Sequence, residues 1–202
     1  MTAIVLFDKN VSENHYITEQ KLPGDFAMWM FIAMELSVFA IFFIAFAVTQ
    51  RLHSDMFTLG RSTLSASVGF FCTLTLIVSS YFVALSVEAI RKNKNLVASR
   101  HLILAMLGAT IYLTLKLFEY NHLINLGYDL STNSFYTLYF FITGFHFMHV
   151  LLGMIILAYM GIKARKNSYS PTNCNGFEAG ASYWHMVDMV WIIVFFLVYI
   201  IH

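Results

Sequence analysis

The stretch FAMWMFIAMELSVFAIFFIAFAV, residues 26–48, decides the fold, because it is apolar except for one charged residue, Glu35, and one serine, Ser37. A helix rises about 1.5 Å per residue, so about 20 apolar residues cross the hydrocarbon core of a bilayer, which is about 30 Å thick. This stretch therefore predicts a transmembrane helix.

Four further runs of the same kind follow it, at residues 64–90, 102–123, 134–162 and 179–201. They predict an all-α integral membrane bundle of five transmembrane helices, formed by one domain over residues 23–202 after a polar N-terminal tail, residues 1–22. Pro23 and Pro171 both lie outside the runs, so we expect unbroken helices.

Composition supports a membrane protein and excludes one class of partner. Hydrophobic residues make up 59% of the chain and charged residues 11%, less than half of the ~25% typical of soluble domains. The 12 Lys and Arg balance the 11 Asp and Glu, so there is no basic surplus of the kind that binds nucleic acid.

Basic residues lie mostly on one side of the predicted helices. The side opposite the N-terminus has two, Arg51 and Arg61. Because cytoplasmic loops carry the excess of Lys and Arg, we expect a cytoplasmic N-terminus and a periplasmic C-terminus. The nine residues on the N-terminal side are Lys9, Lys21, Arg91, Lys92, Lys94, Arg100, Lys163, Arg165 and Lys166.

An outer tier of polar residues is predicted within the third and fourth helices. Ionisable groups inside a span are costly, so each is a candidate for function or for interhelical contact. Lys116 and Glu119 are three residues apart, as are His146 and His149, so each pair shares a helix face. Counted along each helix from its cytoplasmic end at about 1.5 Å per residue, both pairs lie at a height of roughly 21 to 26 Å. We expect one cluster that joins the two helices, either as structural contacts or as a proton-handling group.

An inner tier is predicted where the first and fifth helices approach each other. Glu35 lies about 14 Å up, Asp188 about 12 to 13 Å and His185 roughly 8 Å. Two carboxyls close together in apolar surroundings hold at least one proton at neutral pH. This tier fits either a proton relay or a neutral hydrogen-bonded pair without proton traffic.

The histidines do not form a haem site in this arrangement. A haem ligated from two helices needs both histidines at one depth, whereas His149 and His185 differ by roughly 13 Å. His146 and His149 would need further metal ligands, and Glu119 is the one plausible residue at that height. We therefore expect no cofactor, metal or catalytic residue in this chain.

The last two helices carry specific motifs. TGFHFMHVLLG, Thr143–Gly153, and GFEAGASYWHMVDMVW, Gly176–Trp191, resemble the C-terminal helices of subunit III of the haem-copper oxidases, in which a Glu, here Glu178, precedes the last helix. LKLFEY, Leu115–Tyr120, resembles the family's Glu-Tyr segment, and MWMFIAMELSVFAIFF, Met28–Phe43, resembles the helix with its intramembrane carboxylate. Larger members have seven helices and this chain lacks the first two.

The resemblance implies an accessory subunit without a redox centre. It implies a V-shaped arrangement of the first two helices against the last three, bound phospholipid, and a haem-bearing and metal-bearing catalytic partner in the bacterial cytoplasmic membrane. Such a subunit supports the assembly, stability and proton uptake of its partner. The alternative is a small proton-coupled transporter that uses Glu35 and Asp188, against which the unbroken helices argue.

The type of complex stays open between an oxidase and a nitric oxide reductase. LPGDFAMWMF, residues 22–31, and the lysine of LKLFEY are most similar to the relatives of subunit III that accompany nitric oxide reductases. Lys116 replaces a neutral residue of the larger oxidases, so Glu119 gains a cation of its own.

Overall fold

A computed structural model describes residues 26–171 and 173–201, and in these ranges the chain is helical, with no β-strand. The predicted tail, residues 1–22, lies outside the described residues. The elements are α1 (Phe26–Leu52), α2 (Ser54–Ser62), α3 (Ala66–Arg91), α4 (Asn95–Asn125), α5 (Ser134–Arg165), α6 (Asn175–Phe195) and a terminal π-helix (Phe196–Ile200).

The five predicted spans are confirmed. α1, α3, α4, α5 and α6 with its π-helix are each long and apolar enough to cross a membrane. α4 begins at Asn95 rather than at residue 102, because its first turns are polar yet still helical. Hydropathy marks where a helix enters hydrocarbon, not where its hydrogen bonds begin.

The short helix α2 was not predicted, since its nine residues, SDMFTLGRS, are too polar for a span. One aromatic side chain holds it to the bundle. Phe57 is buried, with its ring centroid 5.0 Å from that of Phe46 on α1 and 5.3 Å from that of Phe135 on α5. α2 thus covers the end of the bundle where the chain turns from α1 into α3.

Asparagines end two of the helices. Asn93 after α3 and Asn167 after α5 have positive φ values of 57° and 52°. Asn tolerates this left-handed conformation, which lets the following backbone N–H groups bond back to the last turn of the helix. Lys94 N–H donates to Ala89 O at 2.8 Å and Ser168 N–H to Lys163 O at 3.2 Å. These turns send the chain back across the bundle.

Small residues allow α3 and α4 to pack closely against each other. Ser79 Oγ donates to the carbonyl of Ala105 at 2.8 Å. A Cβ added at Gly108 would lie 3.0 Å from the carbonyl oxygen of Thr75, so any other residue would push the two helices slightly apart. Such contacts between small and hydroxyl-bearing residues are typical of membrane helix pairs.

The predicted grouping of two helices against three is wrong. α3 packs on α4 and α6, whereas α1 packs on α5 and α6, so the first two spans do not pair. In the most apolar window of each span, 17% of the residues of α1 are buried inside the protein but 61% of those of α6. α6 is therefore the central helix and α1 a peripheral one.

Candidate functional site

Lys116 lies in a closed cage at the meeting of α4, α5 and the π-helix. Its side chain is fully buried, and Nζ donates to Glu119 Oε2 at 2.6 Å, to Tyr139 OH at 3.1 Å and to Tyr199 OH at 3.1 Å. An ammonium has three donors, so all are used. The rings of Tyr120, Tyr139, Trp191 and Tyr199 surround it at 5.1 to 5.6 Å.

Glu119 is equally well satisfied. Besides Lys116, the hydroxyl of Tyr199 lies 2.9 Å from its Oε1 and 2.8 Å from its Oε2. A buried ion pair is tolerated when such additional hydrogen bonds complete it. The Lys116–Glu119 part of the predicted outer tier is therefore present, and Tyr139 and Tyr199 are partners that the sequence analysis missed.

The two predicted histidines do not join this cage. His146 is fully buried, and neither ring nitrogen has a hydrogen-bond partner. Its ring packs instead against Tyr112, with centroids 5.8 Å apart, and against Trp191 at 5.2 Å. Aromatic rings fill the space between His146 and Lys116. The expectation that the two residues meet was based on their equal height in the membrane, which does not show what lies between them.

His149 pairs with Glu35, which corrects the assignment of both residues. Nε2 lies 2.9 Å from Glu35 Oε2, and Nδ1 lies 2.8 Å from the carbonyl oxygen of Phe145. Since a carbonyl only accepts, Nδ1 carries a proton, and Nε2 shares one further proton with the carboxyl. The depth estimate separated the two residues by roughly 7 Å because it took the helix ends as level and untilted.

The inner tier keeps two of its three predicted members and gains Ser80. His185 Nδ1 lies 2.6 Å from Ser80 Oγ, and Asp188 follows His185 by three residues on the same face of α6. Asp188 is 8% exposed, and its Oδ1 has no hydrogen-bond partner. Glu35 lies elsewhere, as described above. Serine is common in membrane helices, so no sequence pattern indicates Ser80.

Glu178 lies at the end of the bundle that carries the basic loops. Arg91 donates to its Oε1 from two nitrogens, at 2.8 Å and 3.1 Å. The glutamate is the more enclosed partner, with 13% of its side chain exposed against 61% for the arginine. This pair joins the last turn of α3 to the first turn of α6.

Arg61 ties α2 to the π-helix at the opposite end. Its guanidinium donates to the carbonyls of Val198 at 3.1 Å and Leu197 at 3.2 Å. Burial lowers the pKa of this guanidinium. Arg61 thereby holds the segment that places Tyr199 in the Lys116 cage, a role that a count of loop charges does not suggest.

No group of three His, Cys, Asp or Glu side chains in residues 26–171 and 173–201 could hold a metal ion together. Apart from His146, the polar groups described above are arranged in pairs and triads that include Lys, Arg, His, Ser or Tyr. They can hold or exchange protons and fix helices, which is the chemistry that the geometry supports.

The whole-chain comparison decides the family. The family described as "Cytochrome c oxidase subunit III" matches residues 5–202. The chain belongs to this family. A cytochrome c oxidase subunit 3 from Synechocystis sp. is 30% identical over 177 residues, which cover 87% of this chain and 75% of that protein. The family resemblance of the sequence motifs is thus confirmed, and as a subunit III of the haem-copper oxidases the chain is an accessory subunit.

Two other relatives show the range of this family. A probable quinol oxidase subunit 3 from Staphylococcus saprophyticus is 24% identical over 173 residues, 86% of each chain. A haem-copper oxidase subunit I+III from Aeropyrum pernix is 28% identical over 195 residues, 92% of this chain and 24% of that longer protein. Subunits III of differently named oxidases therefore resemble this chain over most of its length.

Proposed function

We propose that this subunit III lies beside a haem-bearing catalytic subunit in a bacterial cytoplasmic membrane, with its N-terminus inside. The observation that carries the proposal is the family match along almost the whole chain. The Aeropyrum pernix relative supports the choice of partner, because its name assigns subunits I and III to a single polypeptide. The orientation rests on the uneven distribution of Lys and Arg.

The role of the chain is to stabilise its partner and support proton uptake, while the haem and metal reside in that partner. Two features of the described residues fit this role. The Glu35–His149 pair keeps an exchangeable proton at a peripheral helix, where 20% of the carboxylate side chain is exposed. Ser80, His185 and Asp188 form a second polar group beside the basic end of the bundle.

Phospholipid is a further proposed ligand. An apolar groove of about 200 Å³ runs between α4 and α5, lined by Leu102, Met106 and Leu157, with Arg165 at one end. One nitrogen of this arginine donates to Ser99 Oγ at 3.2 Å. An acyl chain suits the groove, and the remaining guanidinium donors suit a lipid phosphate.

For the type of complex, the likeness of residues 22–31 and of Lys116 to the nitric oxide reductase group favours a partner of that kind. The electron acceptor belongs to the partner, so assays of the isolated complex with oxygen and with nitric oxide distinguish the two. Reduction of oxygen alone would reject the nitric oxide reductase assignment and leave the subunit III role intact.

The proposed partnership is tested by purifying the tagged full chain in mild detergent. We expect a large haem-bearing polypeptide to co-elute, identified by mass spectrometry, with the Soret absorption in that polypeptide and none in the separated chain. A stable, isolated chain that transports a solute with protons, or one with its own Soret band, would overturn the proposal.

A further inference from the structure

A small cavity opens between α3 and α6 at the end of the bundle with the basic loops. It has a volume of about 210 Å³. The Arg91–Glu178 pair lies at one end and His185 at the other, and between them the wall is formed by Val87 and by three small residues, Ala84, Ala181 and Ser182. Larger side chains at the three small positions would fill the space, so these small residues keep the cavity open. We call this cavity the inlet.

The inlet suits water rather than lipid. Its walls carry a charged pair and an imidazole, and its volume accommodates several water molecules, each of which takes about 30 Å³ in the liquid. Glu178 is 13% exposed on its side chain, so this end of the cavity communicates with the exterior. Water can therefore reach the ring of His185.

A chain of hydrogen-bonding groups continues inward from His185. His185 and Asp188 are three residues apart on one face of α6, which places the Asp188 carboxylate on the same side as Ser80. Ser80 has a single hydroxyl proton, so in a state in which it donates towards Asp188 it accepts from Nδ1–H of His185. Nε2 is then the acceptor that is available to water in the inlet. This arrangement orders the contacts from water to His185, then Ser80, then Asp188.

Asp188 is the last member of this series of hydrogen-bonding groups. The residue is 8% exposed, and Oδ1 has no hydrogen-bond partner, so one oxygen of the carboxyl is unused. One helical turn further on, Trp191 Nε1 donates to Thr73 Oγ1 at 3.0 Å, and the Trp191 ring lies against Tyr112 with centroids 4.9 Å apart. These side chains close the path beyond the carboxyl.

The other carboxyls and the lysine near α6 are already engaged, and the imidazole of His146 is enclosed by the rings of Tyr112 and Trp191. Glu35 on α1 pairs with His149 on α5, and Lys116 on α4 pairs with Glu119. On the inlet side, Glu178 pairs with Arg91. Asp188 is the carboxyl of this set that has an unused, buried oxygen.

We propose that Asp188 is a blind proton-binding site that loads from the basic-loop end of the bundle through the inlet, His185 and Ser80. A proton that binds Nε2 from water is matched by transfer of the Nδ1 proton to Ser80 Oγ, and the Ser80 hydroxyl proton passes to the carboxylate. The proton leaves Asp188 by the same transfers in reverse order, and rotation of the groups returns them to their starting state. The proposal extends the role in proton uptake that is proposed above for this subunit. Its physiological meaning rests on that role.

Infrared difference spectroscopy of the full chain, purified with whatever subunits accompany it, tests the site directly. We expect a C=O stretch of a protonated carboxyl that is lost in Asp188→Asn and retained in Asp129→Asn, a control in an exposed turn. The band should shift on transfer to D₂O. Retention of every such band in Asp188→Asn would overturn the proposal.

The route is tested by filling the inlet. Ala181→Leu should keep the band but slow its shift in D₂O at least tenfold, and Ser182→Leu provides a second variant if the first does not fold. Ala158→Leu is the matched control, because it fills the lipid-facing groove between α4 and α5. Equal exchange rates in all variants would show that protons do not enter through the inlet. These spectra need no partner, so failed co-purification and failed proton loading are separate results.

Discussion

The Lys116 cage and the Asp188 site are both buried polar groups in one membrane bundle, and they differ in how completely they are satisfied. Lys116 uses all three donors, and both oxygens of Glu119 are bonded. Asp188 keeps one buried oxygen without a partner, next to an inlet. A completed cluster fixes helices, whereas an incomplete one has room for an exchanging proton.

The largest expected effect comes from opening the cage. Lys116→Met leaves Glu119 as a buried charge without its cation and removes a partner from Tyr139 and Tyr199, so we expect a loss of about 3 to 5 kcal/mol in unfolding free energy. Thermal unfolding in detergent measures it. Lys163→Met is the control, since Lys163 is also near two tyrosine rings but is only half-buried. Equal stability of both variants would show that the ion pair does not hold the bundle.

A smaller loss is expected from releasing the segment that carries Tyr199. Arg61→Gln removes the charge but keeps an amide donor for the carbonyls of the π-helix, so we expect a net loss of about 1.5 to 3 kcal/mol, the contribution of one hydrogen bond to a charged group. The same unfolding assay applies, with Arg51→Gln as the control on the same side of the bundle. If Arg61→Gln unfolds as the unaltered chain does, the coupling between α2 and the cage is absent.

The smallest effect on stability is expected at the incomplete site. Asp188→Asn keeps the shape of the side chain and changes a carboxyl with an unpaired oxygen, so the unfolding free energy should change by about 1 kcal/mol or less. A loss as large as that of Lys116→Met would contradict the contrast between the two regions and make Asp188 a structural residue.

Sequence patterns predicted the five spans because apolar length alone identifies membrane helices. They also predicted the Lys116–Glu119 pair, whose members are neighbours on one helix. They failed where contacts depend on tilt and stagger, as between Glu35 and His149, which lie on different helices. They failed too for Ser80 and Tyr199, residue types so common in membrane helices that only the packed structure reveals their partners.

The accessory role itself is tested most directly by following activity during continuous turnover. Three preparations of the catalytic complex are compared: with the unaltered chain, with Glu35→Ala, and without the chain. We predict similar initial rates in all three, and faster loss of activity without the chain and with Glu35→Ala. A complex that has no initial activity without the chain, or that loses activity equally fast in all three preparations, would contradict the account.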